Sequence, residues 1–175
     1  MIAEKRGRRI CGLLLTISVA ACAASPRSLL EPPVPDSGQA AAFIYPMADG
    51  SGQLQANALK GRPAILIFIT TYDLASQAQA RFLSTFHRHR HDVGAAAIML
   101  EFEDNRPLVV MFRDSLGLRY PVVLGDADAI AGKGPFGDVS VPTTILLNAA
   151  GRIVWRRPGI VTDAEMEDAL RQALR

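Results

Sequence analysis

Apolar and polar positions along the chain alternate between two kinds of pattern. Ala64 to Ile69 is a short unbroken apolar run rich in Ile, entered through Gly61-Arg62-Pro63. This predicts a central strand buried on both faces. Ala95 to Leu100 predicts a second buried strand. Between them Leu74, Ala78, Phe82, Leu83 and Phe86 recur at helical spacing, which predicts a helix to about Arg90 with this stripe inward. Asp73 stands where an N-cap carboxylate accepts the N–H groups of the first turn. Pro107 suits the first turn of another helix and Gly117 its stop. Pro121 to Leu124 is short and extended. Thr143 to Leu147 and Arg152 to Trp155 predict a hairpin around Asn148-Ala149-Ala150-Gly151. Thr162 and Glu165 form a capping box for a last helix with Met166, Ala169, Leu170, Ala173 and Leu174 inward. Upstream, Ala41 to Tyr45 starts an edge strand, followed by the turn signal Asp49-Gly50-Ser51-Gly52. Strand, helix, strand, helix, hairpin, helix is the order of an α/β sandwich, a central mixed sheet flanked by helices.

The N-terminal end breaks this pattern. Lys5, Arg6, Arg8 and Arg9 precede the apolar run Ile10 to Ala21, which is too short to span a membrane as a mature helix. Residues 1–21 therefore read as a signal peptide. The run closes as Val19-Ala20-Ala21-Cys22, which resembles a bacterial lipoprotein box and makes Cys22 the candidate lipidation site; ordinary cleavage after Ala21-Cys22-Ala23 fits the same residues. Residues 22–40, with Pro32, Pro33 and Pro35 close together, read as a tether. Residues 41–175 are left as the folded domain.

Removing the signal changes the chemistry that the chain can support. The whole chain has a net charge of +2, and residues 1–21 hold four basic residues and one acidic. Taking the signal's +3 from +2 leaves about −1. This removes the electrostatic case for nucleic acid. The two cysteines are Cys11, inside the signal, and Cys22. The folded domain then has no disulfide, no thiol and no cysteine-based metal site.

The segments GRPAILIFITTYDLAS, SLGLRYPVVLGD and VSVPTTILLNAAGRIVWR resemble the thioredoxin-like superfamily, in its membrane-anchored TlpA-like and peroxiredoxin-like branch. The resemblance implies a thioredoxin-like sandwich, a redox Cys-x-x-Cys after the first central strand, and a cis-proline loop before the closing hairpin. Tyr72 takes the aromatic position before the first cysteine, but the two cysteine positions read Asp73 and Ser76. The peroxiredoxin Thr-x-x-Cys pattern keeps its threonine at Thr70 and loses its cysteine at the same Asp73. By the same resemblance Pro142 is cis, and Val141 pairs by its backbone with an extended peptide.

A thiolate is the nucleophile of disulfide exchange, and neither a carboxylate nor a hydroxyl replaces it. Asp73 reads as a helix cap with a depressed pKa, and Ser76 as a solvated or capping serine with no histidine near it in sequence. No catalytic residue, cofactor or metal is expected. His87 and His91 share a helical spacing, but arginines interleave and no cysteine is near. Glu101, Glu103 and Asp104 read as a solvated loop, and Trp155 as a packing residue. Three functions remain. One is a binding or scaffold protein of the cell envelope, anchored by lipid on the periplasmic face, that holds a protein segment in a groove of Tyr72, Asp73, Val141, Pro142 and Thr143. The second is a thiol-disulfide oxidoreductase or peroxidase by family label. The third is a structural domain with a vestigial groove. Ala23 after the candidate cysteine is not the aspartate that retains such proteins at the inner membrane, so the outer membrane is favoured.

Overall fold

The computed structural model describes residues 40–173. The expected signal at 1–21, the candidate lipidation residue Cys22, nearly all of the expected 22–40 tether and Leu174 lie outside the described residues.

The Ile-rich run becomes the middle of a five-stranded sheet. Strand β3 (Ala64–Ile69) is buried along its whole length, and its side chains alternate between two cores. Ile65, Ile67 and Ile69 enter one, while Leu66 and Phe68 enter the other. β4 (Gly94–Met99) and β5 (Val122–Leu124) continue the sheet in parallel on one side of β3. The hairpin β6 (Thr143–Leu147) and β7 (Ile153–Pro158) lies antiparallel on the other side, giving the order β5-β4-β3-β6-β7. A smaller antiparallel ribbon, β1 (Ile44–Pro46) with β2 (Gln53–Gln55), joins the β5 edge through a bridge from Met47 to Val123.

The crossover helices α1 (Leu74–His89) and α2 (Arg106–Leu116) follow β3 and β4. Parallel crossovers are right-handed, and both step the same way along the sheet, so both helices pack on one face. The C-terminal α4 (Asp163–Ala173) joins them there. The opposite face has no long helix among the described residues. It is covered by Phe43, Tyr45, Leu54 and Leu59 from the N-terminal ribbon, Ala129 from the one-turn helix α3 (Ala127–Ile130), and Phe136. Phe136 bridges the layers, with ring centroids 5.4 Å from Phe43 and 5.0 Å from Phe68.

The terminators act as their residue types require. Gly117 ends α2 in the left-handed region at φ +61°, which glycine adopts without a Cβ clash. Thr162 and Glu165 exchange both capping-box bonds at the start of α4. The inward stripe of α1 differs from the expected one. Its buried residues are Ser76, Gln79, Ala80, Leu83 and Phe86, while Leu74 is 80% exposed and Ala78 and Phe82 are half-buried. The stripe is rotated because the first turn is anchored by polar groups, Ser76 and Gln79, rather than by Leu74. Trp155 is half-buried and packs against the helix-side core.

Candidate functional site

The site forms where β3 ends and α1 begins. Asp73 is the N-cap of α1, and its carboxylate accepts from Ala75 N at 3.3 Å and Ser76 N at 2.8 Å. Ser76 is completely buried. Its hydroxyl donates to Asp73 Oδ2 at 2.8 Å and accepts from Thr70 N at 3.2 Å. Of the two expected roles, solvated or capping, the solvated one does not hold: the side chain is a closed link, because burial at the first turn requires both its donor and its acceptor to be matched. The Ser76 side-chain bond, with the first-turn N–H groups, holds the Asp73 carboxyl below its ordinary value. Asp73 therefore stays ionised near neutrality and is a weak base. Hydrogen-bonded to it, the Ser76 hydroxyl is not activated as a nucleophile.

The Val141–Pro142 bond is cis. Register places this loop beside the β3–α1 turn, since Phe68 pairs with Thr143. Val141 is half-buried, and among the described residues neither its N–H nor its C=O has a backbone partner. Thr143, expected in the groove, is 2% exposed and its hydroxyl donates to Ser140 O at 2.6 Å. It shapes the loop rather than lining an open surface. Tyr72 and Leu74, in contrast, are 78% and 80% exposed on the rim of the turn.

Two residues here depart from the sequence reading, one expected to be solvated and one not singled out. Glu101 follows β4 and is 3% exposed, not solvated as expected. Its Oε1 accepts from Thr71 N, while its Oε2 is buried without a partner. Glu103 and Asp104 are exposed, as expected for that loop. The apolar strand before Glu101 carries it inward, a tertiary effect that no local pattern reveals. Gln79 is the second. It is fully buried, its Nε2 donates to Val161 O at 3.2 Å, and its Oε1 accepts from Val161 N at 2.7 Å. Gly159 N then donates to Pro142 O at 2.8 Å. The helix start and the cis-proline loop are thus joined through the β7–α4 connection. A glutamine inside an apolar helical stripe was the available signal.

His87 and His91 stand edge to face with ring centroids 6.2 Å apart. Burial, then the charges of His91 and Arg62, lower the His87 pKa. Among the described residues no three His, Cys, Asp or Glu side chains gather as a metal cluster.

A β5-β4-β3-β6-β7 sheet, a helix capped at the end of β3 and a cis-proline loop beside that cap define a thioredoxin-like fold. The chain is placed in the thioredoxin-like superfamily by its relatives as well. It is 24% identical over 136 residues to the thiol-disulfide oxidoreductase ResA of Bacillus subtilis, covering 77% of this chain and 74% of that one. A DsbF homologue from Corynebacterium diphtheriae superposes with a TM-score of 0.69 at 16% identity, over 85% of this chain and 96% of that chain. A secreted disulfide oxidoreductase of Mycobacterium tuberculosis gives 0.63 at 17%, over 75% and 96%. No family model matches.

Proposed function

We propose that this is an exported thioredoxin-fold protein without thiol redox chemistry, which holds an extended protein segment along the Val141–Pro142 loop. The observation that carries the reading is the Val141 backbone, without a backbone partner among the described residues, next to a helix start closed by the Asp73–Ser76 bond. An unpaired N–H and C=O on an accessible extended segment is a template for strand addition. The exposed Tyr72 and Leu74 supply apolar surface for a bound side chain. Cys22 attaches the protein by lipid to the periplasmic face of a bacterial membrane, the outer one in view of Ala23. The several chains of a bacterial lipoprotein make such an anchor stable, where one chain would not. The N-terminal pattern of residues 1–22 supports export, and a structural relative is described as secreted.

Crosslinking from native membranes tests the groove. Wild type and Val141→Asp, both checked for folding, are compared for what they capture. A specific partner recovered with wild type and lost in the variant supports the reading. Equal recovery by both, or none by either, makes the groove vestigial. Oxidoreductase activity is the second reading, favoured by the name of the Bacillus relative. A soluble protein beginning after Ser25, which carries no cysteine, is expected to show no dithiothreitol-dependent reduction of insulin and no peroxide consumption; turnover in either assay would overturn the first reading.

A further inference from the structure

A second polar pocket lies away from the cis-proline loop, between the outer face of α1 and the turn that follows α2. Its volume is about 290 Å³. Arg81, Ser84, Thr85 and Arg88 reach it from α1 at spacings of three and four residues, which places them on one helix face. Arg119 closes it from the α2–β5 connection, with the Leu116 side chain and the Tyr120 ring as apolar wall. No carboxylate lines it.

The arginines of this pocket differ from five others in the domain. Arg90, Arg106, Arg113, Arg157 and Arg171 are each ion-paired with an Asp or Glu. Arg81, Arg88 and Arg119 make no ion pair among the described residues, and these three converge on one pocket. Helix α1 contains no Asp or Glu from Leu74 to His89, so no intrahelical partner is available. A dipole role does not account for the set, because Arg81 lies in the second turn of α1 and the end of α2 is already closed by Gly117 and Leu118 N–H groups. His87 adds an independent sign. Its Nδ1 is buried beside the pocket without a hydrogen-bond partner. An unmatched buried polar atom beside guanidinium groups that meet no carboxylate is an arrangement that suits an anion.

We propose that this pocket binds a phosphate ester. Three planar guanidinium groups can each donate to phosphate oxygens, and Thr85 and Ser84 offer hydroxyls on the same face. The pocket has room for the phosphate and a short organic stem, which would lie against Leu116 and Tyr120. A soluble phosphate monoester and the headgroup of an anionic phospholipid share this chemistry. The site is independent of the peptide groove, so the failure of one leaves the other standing.

The test uses the full-length chain, titrated calorimetrically at constant ionic strength with three probes: inorganic phosphate, sn-glycerol 3-phosphate and monomeric dihexanoyl phosphatidylglycerol. Arg81→Ala and Arg119→Ala, both at exposed positions, are compared with Arg171→Ala on α4. Saturable binding of at least one probe is expected, weakened about tenfold or more by either pocket variant and unchanged by Arg171→Ala. Tighter binding of glycerol phosphate identifies a soluble ester as the source, and tighter binding of phosphatidylglycerol a lipid headgroup. Absence of saturable binding with all three probes overturns the proposal, and so does an equal loss in Arg171→Ala.

Discussion

Ser76 Oγ donates to Asp73 Oδ2 at 2.8 Å. The two positions that carry a dithiol in the resembling superfamily are therefore joined by a hydrogen bond between side chains. The bond is part of a longer polar chain, since Thr70 N donates to the same hydroxyl and two first-turn N–H groups donate to the same carboxylate. A serine and an aspartate thus close the turn without a covalent link, and the end of β3 stays tied to the start of α1.

That tie sets the first prediction. Asp73→Ala removes an N-cap and leaves the buried Ser76 hydroxyl without its acceptor, a loss of about 1–2 kcal/mol from the cap alone. Thermal unfolding should shift down by roughly 3–6 °C for a domain of this size. The folded Asp73 pKa is lowered, so its contribution is present above the ordinary carboxylate value near about pH 4 and is lost as pH falls through the lower folded value. Asp73→Asn keeps a capping oxygen and should show a shallower loss of stability below about pH 4. Asp49, Asp92 and Glu165 are also lowered, by bonds from Ser51, Arg90 and Thr162, so the acid slope is reduced rather than abolished. Urea unfolding from pH 7 to pH 2 measures this directly.

The scaffold should accept a dithiol at positions 73 and 76. Asp73→Cys combined with Ser76→Cys places a thiol at the N-terminus of α1, where the dipole and free N–H groups lower its pKa. The double variant is expected to form an intramolecular disulfide and to reduce insulin in the presence of dithiothreitol. Ser76→Cys alone, at a fully buried position, should react slowly with iodoacetamide and show no turnover. A double variant that oxidises but does not turn over would mean that the loop no longer receives a disulfide substrate.

Gln79 should prove more important for stability than its polarity suggests. Gln79→Leu leaves the N–H and C=O of Val161 buried and unpaired, at a cost of about 2–4 kcal/mol. Because Gly159 in the same connection bonds Pro142 O, amide exchange at Gly159 should accelerate in the variant. Unchanged exchange there would show that the cis-proline loop is held independently of α1.

Tyr72 and Leu74 should behave in the opposite way. Both are largely exposed, so Tyr72→Ser and Leu74→Ser are expected to leave the unfolding midpoint within about 0.5 kcal/mol of wild type. If the loop holds a protein segment, the same changes should weaken capture of that partner severalfold. Stability and binding measured on one pair of variants separate a functional apolar rim from incidental exposure.

Much of the fold was legible because its signals are local. The run Ala64 to Ile69 is β3 to the residue, Asp73 caps α1, Gly117 ends α2, and the Thr162–Glu165 box opens α4. Short polar-rich pieces were missed. Strand β2 and helix α3 have three and four residues, too few for a period to show. The α1 stripe was read from its apolar residues, and that placed Leu74 inward when Ser76 and Gln79 occupy the buried face.

By itself the sequence determined that no thiol stands at the helix start, because a residue type is either a thiol or not, and Asp73 and Ser76 are not. It also determined the order of strands and helices, since periodicity and capping act between near neighbours. Only the tertiary structure decided what those residues do instead. The Ser76 link, the burial of Glu101 and the reach of Gln79 to Val161 join positions 6, 30 and 82 residues apart. The convergence of three arginines that meet no carboxylate among the described residues on one pocket is of the same kind, because side chains far apart in sequence meet only after the helices have packed on the sheet.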